Sequence, residues 1–494
     1  MSMDNVNHNA PIGIAGALFG RRVILTSEPE ITDVNVAKEV EQAYITHLIN
    51  RGEMEYLWKY YKGNQPSLYR VREIRNDLTQ HVVENRANEI ISFKVGYQVG
   101  KPITYVSAGG DEDISESVAK LNDAMRVIGK ATKDKELVEW EFVTGLGYRM
   151  VTVNNDPLIR SPFNLYTLDP RNTFVIRSND FTHRPLAGVN YVTNPDGSTI
   201  FSIYTQDSFY TLVKGSNQLT KTANQFGRIP IIEYPANTAR LGAFETVLTM
   251  LDAINSFDSA RLEAVEQFVQ SLLVLYNCQL DEGVTADNIR QAGMILLKSI
   301  GNEVGGKADI KNLSEQLDQS QNQTLKSDLY QSVLQIVGVP SLNMNGAADS
   351  SNNGAVVLRN GWQGAETRAQ DFETAFKLPE KEMLTVVSVI CNELPSSDIS
   401  FDPADIEPAF TRRNYEDILS KSQTLVTMLQ NDKIHPKKAY EASGMFTDTE
   451  EAYQLGLEWF EAQQKRQQEM VNAVGQQVSE NRTWGSARAD GDDE

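Results

Sequence analysis

Three Gly-Lys pairs are the first residues of this chain whose type and spacing could bind a phosphate. In a phosphate-binding loop, glycines precede a Gly-Lys-Ser/Thr triplet, because backbone N–H groups surround the phosphate and the hydroxyl binds magnesium. Here the residue after Gly-Lys is Pro102, Ala131 or Ala308, so the hydroxyl is missing in all three pairs. The N-terminal segment GIAGALFG has spaced glycines but no strand before them. The sequence therefore argues against an ATP-driven motor, and we expect no cofactor.

The side chains that serve as nucleophiles and metal ligands are scattered. No GxSxG segment is present, and none of the five histidines belongs to an HExxH or Cys/His zinc pattern. The acidic clusters at 111–113 and 492–494 fit solvated surface better than a metal site, because no further ligands accompany them. We therefore predict no catalytic residues, no metal site and no enzymatic activity.

A few charged and aromatic residues remain as candidates for binding. Lys298, Lys307 and Lys311 could contact phosphate, although ordinary surface lysines would look the same. Arg412-Arg413 precede a predicted helix, where positive charge opposes the helix dipole, so we expect an acidic partner or solvent exposure. Trp362 lies in the first turns of another predicted helix and is expected to be buried.

The charge of the chain bears on nucleic-acid binding. Its 494 residues carry a net charge of −20, whereas proteins that hold DNA tightly are usually basic. The charge indicates either a protein that does not bind DNA or a conduit whose negative walls repel phosphate. No apolar run reaches the roughly 20 residues of a membrane helix. The apolar segment 11–19 precedes its Arg21-Arg22 pair, so it fits an arm or a buried anchor rather than a secretory signal.

The first half of the chain predicts helices followed by a mostly antiparallel β region. Helices are expected at 34–48, 53–61, 77–93 and 114–143, the last interrupting the β-rich residues 103–235. Asn194-Pro195-Asp196-Gly197 is a strong turn signal and predicts a hairpin over 187–204. Two cysteines far apart, Cys278 and Cys391, suit a reducing cytoplasm.

The second half predicts long helices. Apolar residues at three- and four-residue spacing from Gly242 predict a helix of roughly 33 residues, about 50 Å long. A mixed, glycine-containing stretch follows, and then a second helix that stops at Gly338 and Pro340. Residues 355–394 predict another long helix, kinked at Pro379. Only shorter helices are expected beyond Pro403.

The stretch 85–105, NRANEIISFKVGYQVGKPITY, predicts a helix that changes to a strand at its glycines. Its sequence resembles that of the portal proteins of tailed bacteriophages, specifically the siphovirus-type family named after the SPP1 portal. The resemblance continues in order through YYKG at 60–63, GLGY at 145–148, LDPR at 168–171 and GVP at 338–340. Asn353 stands where that family usually has serine. The similarity covers roughly residues 45–395.

The resemblance implies an α+β portal fold: an α/β wing with antiparallel strands, long stem helices, a small α/β clip and a helical crown, assembled as a ring. The corresponding segments are an N-terminal arm (1–45), the wing (46–240), a stem helix (241–277), the clip (278–312), a second stem helix (313–340), a tunnel loop (341–354), a kinked helix between channel wall and wing (355–395), the crown (396–477) and a disordered acidic tail (478–494).

The resemblance also implies function and partners. About twelve copies would form a ring at the portal vertex of the virion, assembled in the bacterial cytoplasm and not bound to a membrane. The partners would be the terminase large subunit, a head-tail adaptor, the major capsid and scaffolding proteins, and double-stranded DNA held weakly and without sequence preference. The tunnel-loop residues expected to meet DNA are Asn343, Met344, Asn345, Ser350, Ser351, Asn352 and Asn353.

Three alternatives stay open from the residues alone. The polar segment 341–353 could be a passive linker, since its composition fits that equally well. The chain could be another virion protein, such as a head-completion protein or a tail scaffold. A hydrolase with its site in the β-rich region is the remaining class, although no nucleophile or metal pattern supports it.

Overall fold

The computed structural model describes residues 20–71, 79–108, 112–156, 158–216, 218–269, 273–276, 278–280, 297–299, 309–312, 319–340, 361–395, 397–412, 418–446 and 449–486, which form an α+β fold, as predicted. The helices of these residues are α1 (Val36–Tyr61), α2 (Arg86–Val99), α3 (Glu112–Val127), α4 (Lys130–Thr144), α5 (Leu248–Val269), α6 (Gln319–Val337), α7 (Trp362–Glu393), α8 (Ile418–Leu429), α9 (Pro436–Ser443) and α10 (Thr449–Ser486).

The strands of the described residues are β1 (Ile24–Thr26), β2 (Thr104–Ser107), β3 (Leu146–Val153), β4 (Phe163–Leu168), β5 (Thr173–Ser178), β6 (Pro185–Thr193), β7 (Thr199–Tyr204), β8 (Ser208–Val213), β9 (Leu219–Ala223), β10 (Ile231–Pro235), β11 (Leu273–Tyr276), β12 (Cys278–Leu280), β13 (Leu297–Ser299), β14 (Asp309–Asn312) and β15 (Ile406–Ala409). Short 3₁₀ turns lie at Pro66–Tyr69, Glu245–Val247 and Pro403–Asp405.

A six-stranded sheet with the order β1-β5-β6-β7-β8-β9 forms one layer. β1 runs parallel to β5, and the other pairs are antiparallel. The predicted hairpin is confirmed, because β6 and β7 pair in register up to Thr193 opposite Thr199. Gly197 has φ +85° in the turn between them, a backbone conformation that glycine adopts without steric cost.

Helix α1 covers one face of this sheet. Val36, Val40 and Tyr44 are buried against it, and the ring of Tyr44 meets that of Tyr191 edge-on at 5.1 Å. The prediction of two helices over 34–61 is wrong, since α1 runs through Gly52 without a break. Burial continues on the same helix beyond the glycine, which outweighs the roughly 1 kcal/mol that an interior glycine costs.

The three-stranded sheet β10-β3-β4 lies in the main core with α2, α4, α5, α6 and α7. The expected single helix over 114–143 is two helices, α3 and α4. Gly129, with φ +70°, separates them. The left-handed conformation ends α3 and turns the chain, so that α4 packs directly on β3.

Two strands form where we predicted none. β1 follows Arg21, which is buried and binds Glu53 at 3.1 Å and Glu245 at 2.5 Å. β15 lies in the region expected to be wholly helical and pairs antiparallel with β2, from Ile406 opposite Ser107. Both pairings join segments far apart in sequence, and this is why local patterns missed them. The apolar segment 11–19 lies outside the described residues.

The C-terminal helices α8, α9 and α10 pack in sequence, with α8 against α9 and α9 against α10. Helix α10 has 38 residues and continues to Ser486, so the expectations of only shorter helices beyond Pro403 and of disorder from residue 478 are wrong. The remainder of the predicted tail, 487–494, lies outside the described residues. No helix of the described ranges is long and apolar enough to cross a membrane.

Candidate functional site: the paired helices and their connections

Helices α5 and α6 lie side by side and fall within the two segments predicted as stem helices. Helix α5 has 22 residues and follows a 3₁₀ turn, so it is shorter than the predicted 33. Helix α6 ends at Val337, and Gly338 follows it in the left-handed conformation, as the predicted stop requires. The N–H of Val339 donates to the carbonyl of Leu334 at 2.9 Å, which closes a Schellman-type end.

The two helices are buried where the start of α5 meets the end of α6, although Ile336 on the outer side of that end is exposed. The buried apolar residues there are Leu248, Leu251, Ile254, Val333, Leu334 and Val337. Four large apolar side chains on the same helices are 41–52% exposed, namely Leu262, Val265, Leu325 and Ile336. Leu262, Val265 and Leu325 lie toward the other end of the pair, and an exposed apolar patch is typical of a protein interaction surface.

A polar stripe on α5 holds an extended segment, residues 79–85. Three backbone N–H groups at alternate positions donate to three buried side chains spaced four residues apart, Gln80 to Glu263 (3.1 Å), Val82 to Ser259 (3.1 Å) and Glu84 to Asn255 (2.8 Å). We predicted a helix over 77–93. This prediction is wrong for residues 79–85, because three of their backbone N–H groups donate to side chains of α5. Helix α2 begins only at Arg86.

Ionic contacts fix α6 against the same segment. The ammonium of Lys326 lies 3.1 Å from Glu84 and 2.9 Å from Asp258 of α5. The guanidinium of Arg86 stacks over the ring of Tyr330 at 4.1 Å from its centroid. The two helices are therefore tied both to each other and to the start of α2.

Two small antiparallel ribbons lie between α5 and α6 in the chain, where the clip was predicted. β11 pairs with β14, and β12 pairs with β13. Lys298 stands opposite Gln279 on β13, and Lys311 stands opposite Val274 on β14. The backbone register therefore assigns these two predicted phosphate contacts to different ribbons, while Lys307 lies outside the described residues.

The predicted tunnel-loop residues 343–353 also lie outside the described residues, but the two ends of the segment are described. A Cβ on Gly361 would lie 4.0 Å from the Cα of Pro340, so the chain leaves and returns at one point. Arg368 of α7 donates from both terminal nitrogens to carbonyls at the end of α6, those of Ile336 and Gln335. This side chain joins the last turn of α6 to the second turn of α7.

Helix α7 runs without a break through Pro379, and the next residue is the centre of a buried charge cluster. Glu380 binds Lys130 at 2.9 Å and Arg149 at 3.3 Å. Asp134 binds the same two cations, at 2.7 Å and 2.5 Å. All four side chains are at most 3% exposed. Two carboxylates and two cations thus alternate around a closed ring of ion pairs.

Two tyrosines complete the cluster. The hydroxyl of Tyr105 donates to one oxygen of Glu380 at 2.7 Å, and that of Tyr234 donates to the other at 2.8 Å. Burial raises the pKa of a carboxyl, but Lys130 and Arg149 lower the pKa of Glu380 to about 2. Burial and the charge of Glu380 raise the pKa of both tyrosines well above the usual range. These partners of Glu380 belong to α4 and to the strands β2, β3 and β10, so the cluster joins α7 to those elements.

The sequence contains one local signal for this cluster, which is a charged residue at a position whose neighbours predict burial. Glu380 stands at a buried position of α7 between Phe376 and Met383, and Arg149 lies in a strand whose first four residues are buried. A charged residue on an apolar face needs a charged partner. Sequence alone, however, does not identify which distant residue supplies it.

The remaining predicted residues have definite positions. Arg412 binds Glu366 through Nε at 3.1 Å and also pairs with Glu373, so the expected acidic partner is confirmed. Trp362 is partly buried against α2, with ring centroids 5.9 Å from Phe93 and 6.0 Å from Tyr97. No group of three or more histidine, cysteine or acidic side chains within the described residues could hold a metal ion.

Comparison with known proteins gives one family. The family model described as phage portal protein, SPP1 Gp6-like, matches residues 44–469. No curated protein matches the sequence. Three solved structures of gene transfer agent (GTA) particles contain similar chains. A chain in the neck of a native particle, computed with C12 symmetry, has 12% identity and a TM-score of 0.41, over 73% of this chain and 89% of its own length.

The other two matches have similar sequence identities and TM-scores. A chain in the neck of an empty GTA particle, computed with C6 symmetry, has 12% identity and a TM-score of 0.42, over 73% of this chain and 90% of its own. A chain in the virion of the native particle has 11% identity and a TM-score of 0.42, over 80% and 94%.

Proposed function

The chain belongs to the SPP1 Gp6-like phage portal proteins, and we propose that about twelve copies form a closed ring at one vertex of the capsid. As a portal protein it has a structural role and is a component of the virion. Double-stranded DNA passes through the ring during packaging and ejection. The ring forms by heterologous contacts that close after a full rotation, which requires one subunit surface to match a different surface of its neighbour.

The observation that supports this proposal most directly is the exposed apolar group on the paired helices. In the isolated chain, four apolar side chains of the pair are about half exposed: Leu262 and Val265 on α5, and Leu325 and Ile336 on α6. Full burial of an exposed leucine side chain contributes about 1.5–3 kcal/mol, so covering the exposed half of one contributes roughly half as much. Repeated around a ring, contacts of this size favour assembly over the free subunit.

The other proteins of the particle contact the segments at the two ends of the helix pair. The ribbons β11–β14 and β12–β13 protrude as the clip and receive the terminase large subunit and later the head-tail adaptor. The wing contacts the major capsid and scaffolding proteins during assembly in the bacterial cytoplasm. The work is mechanical, and no covalent catalysis is assigned to the chain.

DNA is held weakly and without sequence preference. The net charge of −20 opposes tight binding to phosphate, so the duplex can slide. Segment 341–353 projects toward the DNA, and Lys298, Lys307 and Lys311 contact phosphate at the channel mouth. Among the alternatives, the family match favours a portal protein over a head-completion protein, a tail scaffold or a hydrolase.

Assembly is tested by combining two substitutions on the helix pair, Leu262→Asp and Leu325→Asp. The wild-type protein should give particles many times heavier than 55.2 kDa in light scattering, and rings with a central hole in negative-stain images. The double variant should remain a folded single subunit. Phe181→Asp is the matched control, because Phe181 is 96% exposed and lies away from the helix pair, in the turn before β6. Wild-type protein that stays a single subunit at micromolar concentration would contradict the proposal.

A further inference from the structure

A small half-open cavity lies where α2, the end of α6 and the first turns of α7 meet. Its volume is about 40 Å³, which holds roughly three water molecules and therefore suits a compact oxyanion. Aromatic rings form part of the wall, including those of Phe93, Phe142 and Phe372. The two cationic side chains that line it are Lys94 and Arg368.

Lys94 lacks an anionic partner among the residues that the structure describes. Its ammonium lies over the ring of Phe142, 5.8 Å from the centroid. Burial and the positive charge of Arg368 lower the pKa of Lys94 to about 8, and no carboxylate opposes these two effects. A cation removed from water without a counter-ion is costly, so an anion that enters the cavity gains from both positive charges.

Two carboxylates of α7 are already bound to other groups. Glu366, next to the lining residue Ala365, accepts from the hydroxyl of Tyr97 at 2.7 Å and from Arg412. Glu373, on the same helix, also pairs with Arg412. The positive charge of the cavity is therefore not balanced by the acids of its own walls.

The position of Arg368 is fixed by its contacts with α6. Two of its terminal nitrogens donate to the carbonyls of Ile336 and Gln335. A Cβ on Gly338 would lie 2.3 Å from the Cδ of Arg368, so only glycine leaves room for the side chain there. A guanidinium has five N–H groups, and those not used on α6 remain for an anion.

We propose that this cavity binds a phosphate group, whose oxygens accept hydrogen bonds from Lys94 and Arg368. The phosphate is supplied either by the DNA backbone or by free inorganic phosphate. Binding of backbone phosphate rests on the proposed function, because it requires DNA to pass near the adjoining ends Pro340 and Gly361. Binding of inorganic phosphate requires only the folded chain.

The experiment is acylation of lysine amines near pH 8, read out by peptide mass spectrometry. The full protein is treated in millimolar inorganic phosphate, with a short DNA duplex, or in chloride at matched ionic strength. Phosphate at ten times its dissociation constant should slow acylation of Lys94 about tenfold. Lys101, exposed just beyond α2, is the internal control and should be unaffected. Protection by phosphate alone identifies the free ion, and protection by the duplex identifies DNA.

Two variants separate binding from reactivity. Phosphate should raise the melting temperature of the wild type and of Lys94→Arg, which keeps the charge, but not that of Lys94→Met. Equal acylation of Lys94 in all three solutions, or equal stabilisation of Lys94→Met and wild type, would overturn the phosphate site. Light scattering on the same samples reports ring assembly, so a failure of the proposed function is seen separately.

Discussion

Replacing Glu380 by glutamine should lower the free energy of unfolding by about 3–5 kcal/mol, because it removes one partner from a buried ionic cluster. Lys130 and Arg149 would then share a single carboxylate, Asp134. The new amide has nearly the same size, so little cavity forms. Its NH₂ group, however, would replace an oxygen that now accepts from either Tyr105 and Lys130 or Tyr234 and Arg149.

The effect should depend on pH in a defined direction. The pKa of Glu380 is lowered from 4.5 to about 2, because the two cations outweigh the effect of burial. A carboxyl with a lowered folded pKa stabilises the fold fully above its unfolded pKa, and this contribution is lost as the pH falls from about 4.5 to about 2. The deficit of Glu380→Gln should therefore be complete at pH 7 and about 1 kcal/mol smaller at pH 4.

The assay is urea unfolding of both proteins at pH 7 and pH 4, followed by circular dichroism. Glu393→Gln is the matched control, since Glu393 is exposed at the last residue of the same helix, and it should change stability by less than about 0.5 kcal/mol. Adding Arg149→Met to Glu380→Gln should cost less than the sum of the two single changes. If Glu380→Gln unfolds at the wild-type urea concentration, or its deficit grows at pH 4, the reasoning is refuted.

Two further substitutions test the connections of the helix pair. Ser259→Ala removes the acceptor of the partly buried N–H of Val82 and should cost about 0.5–1.5 kcal/mol in urea unfolding, whereas Ser256→Ala, exposed on the same helix, should be near neutral; equal effects would contradict the role of the polar stripe. Gly338→Ala should destabilise by about 1–3 kcal/mol, because its φ is +72° and its Cβ would meet a side chain. Gly364→Ala, in a helix with open space around it, should instead stabilise by about 0.5–1 kcal/mol, and a stabilised Gly338→Ala would contradict the strained geometry.

Features set by neighbouring residues were predictable from sequence. Helix α2 ends at Val99, shortly before Pro102, and the hairpin at 194–198 follows its turn residues. The end of α6 follows Gly338, where the left-handed backbone needs no distant partner. In each case the residue that determines the conformation lies within the element or directly beside it.

Features set by distant partners were not predictable. Residues 79–85 have the composition of a helix, but their N–H groups bond to side chains more than 170 positions away. β15 forms because β2 offers an open edge, about 300 residues earlier. The charge cluster has the same character, since Glu380 meets Lys130 and Arg149 only once the wing and α7 have packed together.

The polar contacts of α7 lie at two separate points along the helix, so they fix its orientation as well as contributing to stability. Arg368 contacts the end of α6. Glu380, twelve residues further on and about 18 Å along the helix axis, contacts Arg149 of β3. Apolar contacts such as those of Phe372 and Phe376 stabilise the packing of α7 through buried area, which is non-directional. The hydrogen bonds from Arg368 to backbone carbonyls and the ion pairs of Glu380 have defined directions, so they fix the orientation of α7 at two points. We infer that α7 keeps a fixed orientation between the end of α6 and the strands β3 and β10.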